Sequence, residues 1–137
     1  MKAYGLTLLR VTVGALFILH AYRLLVLVTP AGTAGFVARS FGLPYPGILA
    51  WVVIAAHGIG GLFMVLGLLT RPAAAVNALI AAVVLARVHV PPHGVLRGAA
   101  LIQNGSVGGF EYGVLLVVAT VAILMLGSGP LAVRPSK

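Results

Sequence analysis

Among the ionisable side chains in or beside long apolar runs of this chain, six fall at depths where they could meet: His20, Arg23, His57, Arg87, His89 and Glu111. Nine Lys/Arg stand against a single acid, so Glu111 is the only carboxylate available to any arginine. On insertion scales an ionisable group inside a membrane span costs about 2.5–3.5 kcal/mol, so each one needs a partner or a purpose. Two readings are open. In the first, Glu111 pairs with Arg87 or Arg23 and the six groups line a polar pocket. In the second, the arginines reach separately for the surface, and Glu111 caps the helix it opens, where a negative charge suits the N-terminal dipole.

What these residues exclude is clearer than what they specify. One acid cannot form a paired-carboxylate site, and no phosphate-binding loop or serine nucleophile motif is present, so hydrolytic catalysis is not expected. The absence of cysteine removes thiol–disulfide chemistry, thiolate nucleophiles and iron–sulfur clusters. His89-Val90-Pro91-Pro92-His93 has a four-residue spacing, but its prolines break the helix that would align the two imidazoles, and no metal site is expected. His20 and His57 fall at similar depths, which makes a bis-histidine haem conceivable, but a hydrogen-bonded interior histidine is the favoured reading of each.

The elements that must position these groups are membrane spans. The chain is 61% hydrophobic and 7% charged, with a mean hydropathy of +1.17. A soluble domain carries about 25% charged residues. The expected fold is all-α: a single polytopic domain over residues 1–137, built as a four-transmembrane-helix bundle. The helices are expected at about 6–28, 47–69, 72–90 and 110–126, with a short interfacial helix in the first loop. Phe36, Val37 and Phe41 around Arg39 give that loop its amphipathic character. The first apolar run contains Arg10, His20 and Arg23 and is read as a retained helix, not a cleaved signal peptide.

The stretch Trp51 to Arg87 organises the rest. It reads as a helical hairpin around the turn Thr70-Arg71-Pro72, with Ala56 and Gly60 at the spacing that lets helices approach closely. The alanine-rich third helix carries one mid-helix amide, Asn77, read as a hydrogen-bonded packing residue. Arg10, Gly14 and Phe17 share one face of the first helix. The loop from Pro91 to Gly109 is long enough to be functional or partly ordered.

Charge distribution suggests orientation. The side with both termini and the hairpin turn holds Lys2, Arg71, Arg134 and Lys137, while the opposite loops hold Arg39 and Arg97. The positive-inside rule then places both termini in the cytoplasm of a bacterial or archaeal cell, the chain being integral to the cytoplasmic membrane. This puts the six ionisable groups in the outer half of the bundle. The formal net charge of +8 belongs to helix ends and headgroups, so the expected partners are the lipid bilayer and other membrane protein subunits, with no nucleic acid.

An ordered set of short motifs resembles the DoxX family of small four-helix membrane proteins. It comprises Leu9-Arg10, Gly14, Phe17, His20 and Arg23, then Ala34-Gly35-Phe36, Gly42-Leu43-Pro44 and Gly60-Gly61. Gly67-Leu68-Leu69-Thr70-Arg71-Pro72-Ala73-Ala74, His89 and Gly108-Gly109-Phe110-Glu111-Tyr112 complete it. Arg10, Gly14, Gly60, Gly61, Thr70 and Arg71 are the family-pattern positions. Two positions depart: the family usually shows His-Gly where this chain has His20-Ala21, and a glutamate where it has His57. The resemblance implies a membrane subunit of a redox assembly, quinone-linked, because relatives include the quinone-reducing membrane part of thiosulfate:quinone oxidoreductase. The alternative is a non-catalytic structural or assembly subunit that docks a larger complex through its glycine- and alanine-rich faces.

Overall fold

A computed structural model describes residues 2–89, 102–103, 106–107 and 110–133. Helix α1 runs over Lys2–Tyr22 and continues into a π-helical turn, Arg23–Leu27. Helix α2 covers Pro30–Phe41 and α3 covers Pro46–Leu66. Helix α4, Thr70–Val84, continues into a second π-helical turn, Leu85–His89. A two-residue antiparallel ladder pairs Ile102 with Val107 and Gln103 with Ser106, inside the expected long loop. Helix α5 covers Phe110–Leu126. Arg97 and His93 of that loop, and Arg134 and Lys137 of the tail, lie outside the described residues.

The fold among the described residues is helical apart from that ladder. Three spans are long and apolar enough to cross a membrane: Tyr4–Leu27, Pro46–Leu66 and Thr70–Val88. Glu111–Leu126 is a shorter apolar helix; α5 as a whole has 17 residues. At 1.5 Å per residue α5 reaches about 26 Å, slightly less than a hydrocarbon core of about 30 Å. Large apolar side chains such as Leu8, Leu19, Ile48, Leu79, Leu115 and Met125 are exposed, as expected where the solvent is lipid.

The core gathers α1, α3, α4 and α5 around Val13, Phe17, Met64, Ala73, Ala74 and Ile123. Helix α1 packs chiefly on α3, and α4 on α5. The α1–α3 crossing depends on glycine. A methyl group on Gly14 would lie 2.7 Å from Gly61 O, and one on Gly61 would lie 2.7 Å from Gly14 O. The backbones therefore touch, and only the absence of both Cβ atoms allows it. The alanines Ala73, Ala74 and Ala78 are also buried inside the bundle.

The hairpin break falls earlier than expected. Its residues are Gly67, Leu68 and Leu69, not Thr70-Arg71-Pro72, which form the first turn of α4. Gly67 takes the left-handed conformation (φ +74°), and Leu68 N–H donates to Phe63 O at 2.9 Å, closing α3. Pro72 is tolerated inside α4 because first-turn amides lack intrahelical partners anyway. Residues 127–133 then fold back across this end of the bundle. Val133 N–H donates to Leu66 O at 3.1 Å, and the Arg10 guanidinium donates to Leu131 O at 2.7 Å.

Candidate functional site

Construction of the site begins at Gly60. A Cβ there would collide with the Asn77 amide nitrogen, so the glycine is what admits Asn77 to the α3–α4 interface. Asn77 is fully buried, and its Nδ2 donates to Ala73 O at 2.9 Å and Ala56 O at 3.1 Å. Both partners are carbonyls, which only accept. Turning the amide over would set oxygen against oxygen, so the network fixes its orientation. Asn77 Oδ1 therefore faces His57 Nδ1, 2.7 Å away, as an acceptor. His57 must carry its proton on Nδ1, and a neutral imidazole keeps its lone pair on Nε2.

His57 is 5% exposed and faces the bundle. Its ring lies 5.1 Å from the Phe17 ring centroid, and 5.4 Å from that of His20, edge-on at 76°. Around this trio lie two cavities that share His20, Arg23, His57, Ile80 and Val84. One, of about 400 Å³, extends toward α5 and is bounded there by Tyr112, Gly113 and Leu116. The other, of about 620 Å³, passes beneath α2 along Leu24, Val37, Phe41 and Val83. Its walls are overwhelmingly apolar. His20, Arg23 and His57 gather where the two cavities meet, while Thr33 and Arg39 line the larger cavity alone and Tyr112 the smaller.

The π-helical turns help to shape this junction. Arg23 opens the first and Leu85 the second, and both residues line the cavity beside α5. A π turn inserts an extra residue into the α-helical register and rotates the helix beyond it, a distortion that recurs at functional sites. Helix α2 closes the far side. Its N-terminal cap is the Thr29 hydroxyl, which accepts from Gly32 N–H at 3.3 Å, and its buried Thr33 and Val37 turn inward.

Of the six residues singled out by sequence, His20, Arg23 and His57 come together. Arg87 and Glu111 line neither cavity, and the His89 side chain lies outside the described residues. The expected pairing of Glu111 with Arg87 or Arg23 is not formed among the described residues. Its Oε2 is buried without a hydrogen-bond partner among the described residues, while Arg87 is exposed. Among those residues no three His, Asp or Glu cluster to hold a metal ion.

Two residues matter more than their sequence context suggested. Asn77 holds the site histidine. Arg10, on the same face of α1 as Gly14 and Phe17, is 1% exposed. Its guanidinium packs on Gly67, the left-handed cap of α3. A cation there suits the negative end of the helix dipole. The single polar amide among alanines was the available signal for Asn77.

A helical membrane protein with a polar junction between apolar cavities is the class these features define. The DoxX family model matches residues 5–90, more than half of the 137-residue chain, and the chain belongs to that family. The match contains every residue of the junction, and of the cavity linings only Tyr112, Gly113 and Leu116 of α5 lie beyond it. No curated protein and no solved structure matches the chain.

Proposed function

We propose that this protein is a quinone-linked membrane subunit of a redox assembly, and that the junction of His20, Arg23 and His57 receives the quinone head. The observation that supports this reading is the merging of two apolar cavities at a small polar cluster. Apolar walls with a few convergent polar groups are what a lipophilic ring with polar substituents needs. Arg23 supplies donors to a ring oxygen, and His57 and His20 supply imidazole nitrogens. The cavity beneath α2 accommodates an isoprenoid tail. When bound, the quinone supplies the two-electron chemistry. The chain's own residues bind, orient and keep water from the ring.

In this reading α5 crosses the membrane as a fourth helix, α2 lies in the interface, and both termini face the cytoplasm. Electrons come from partner subunits, which dock on the exposed apolar faces.

The rival reading, a purely structural subunit, relied on glycine- and alanine-rich faces free for docking. Gly14, Gly60, Gly61, Ala73, Ala74 and Ala78 are used within the chain, which leaves a smaller part of those faces, Ala55 and Ala86 among it, open for docking.

The test is equilibrium binding of decylubiquinone and decylubiquinol to the purified protein in lipid nanodiscs. Ile80 borders both cavities, whereas Val76 is exposed and borders neither. Saturable binding that Ile80→Trp abolishes and Val76→Trp leaves intact supports the proposal. Absence of binding in the unaltered protein overturns it.

A further inference from the structure

We propose that His57 makes the junction selective for the hydroxyl-bearing, reduced form of its ligand, by accepting a hydrogen bond from the ring hydroxyl at Nε2. The inference rests on the quinone-linked reading and adds to it the redox form bound and the residue that chooses it.

Hydrogen-bond direction sets the preference. Asn77 Nδ2 spends both of its N–H bonds on Ala56 O and Ala73 O. Its Oδ1 can then only accept, and His57 Nδ1, 2.7 Å away, can only donate. Nε2 of the neutral ring is left as an acceptor, and His57 borders both cavities. No carboxylate lines either cavity. Arg23 and Arg39 offer donors alone, and the hydrogen of the Thr33 hydroxyl is committed to Thr29 O at 3.0 Å. His20 and the Tyr112 hydroxyl can each donate or accept, so they discriminate little.

A ring oxygen can accept from Arg23 whether it is a carbonyl or a hydroxyl, so Arg23 discriminates little. Only a hydroxyl can donate to His57 Nε2. A carbonyl there would set lone pair against lone pair. The backing for this acceptor is an amide reached across the hairpin. Here Gly60 and Asn77 form that backing, because the amide fits only where the glycine lacks a side chain.

The experiment compares three probes under argon at pH 8, above the ordinary titration range of imidazole. They are decylubiquinol, decylubiquinone and the dimethyl ether of the quinol, whose oxygens accept but cannot donate. The quinol is expected to bind about tenfold more tightly than either donorless molecule. His57→Phe removes the preference of the quinol over its dimethyl ether, and Asn77→Leu weakens it by freeing the imidazole tautomer. Equal binding of all three probes to the unaltered protein, or a preference for the quinone, overturns the inference and leaves the quinone-linked reading standing. A preference that survives His57→Phe also overturns it. Binding of none of the three overturns both. Should His57→Phe fail to fold, the ether and quinone comparisons in the unaltered protein decide the matter.

Discussion

Asn77 Oδ1 lies 2.7 Å from His57 Nδ1, joining the middles of α3 and α4 through a buried polar contact. The geometry that fixes this contact is a glycine four positions from Asn77's carbonyl partner: Gly60 opens the space, and Ala56 O accepts one of the amide's two donated bonds. Packing and chemistry here depend on the same residues. A change meant to alter the site therefore also alters the fold, and the two effects must be read together.

Asn77→Ala removes three hydrogen bonds and leaves His57 Nδ1 and two carbonyls to find new partners. Loss of buried partners of this kind costs about 1–3 kcal/mol. Thermal unfolding in detergent is expected to shift down accordingly, with weakened quinol binding at temperatures where the protein remains folded. Unchanged unfolding would show that the network contributes nothing.

Glycine positions should differ sharply in tolerance. Gly61→Ala drives a methyl group into the Gly14 carbonyl, and backbone cannot yield cheaply, so a loss of about 1–3 kcal/mol is expected. Gly5 has nothing within 4 Å of where a Cβ would stand. Gly5→Ala should therefore be neutral, or stabilising by up to about 1 kcal/mol through better helix propensity. Detergent melting curves of the two variants, side by side, check the contrast.

Arg10 ties the C-terminal segment to the bundle through its bond to Leu131 O. Arg10→Met keeps most of the bulk and removes the donor. Residues 127–133 should then become open to limited proteolysis while α1 to α5 remain protected. Protection equal to that of the unaltered protein would show that Val133 and its neighbours hold the segment without Arg10.

Glu111 lines neither cavity, so Glu111→Gln should leave quinone and quinol affinity within about twofold, a change of less than about 0.5 kcal/mol in binding free energy. A larger loss, measured in the same titration, would place the lone acid at the site after all.

The hydrophobic runs made the membrane character and the helical fold legible, because length and apolarity alone decide whether a segment can span lipid. His20, Arg23 and His57 stood out for the same reason in reverse: polar groups in such runs are conspicuous. Their convergence was legible as depth. The separation of Glu111 and Arg87 from them was not, because depth along a helix fixes no azimuth once π turns at Arg23–Leu27 and Leu85–His89 change the register. The hairpin break was misplaced at Thr70-Arg71-Pro72 because proline is the louder signal, although the left-handed Gly67 is what ends α3. The partnership of Gly60 with Asn77 is a tertiary contact across a hairpin, and spacing along either helix does not reveal it.

The most direct test of quinone binding at the junction is photoaffinity labelling with an azido-quinone, then peptide mapping, in membranes that contain the intact protein. Label is predicted to fall on the Arg23 end of α1 and on the Ile80–Leu85 stretch of α4, and excess decylubiquinol should compete it away. Label confined to outward-facing positions such as Leu115 or Met125, undiminished by the competitor, would contradict it.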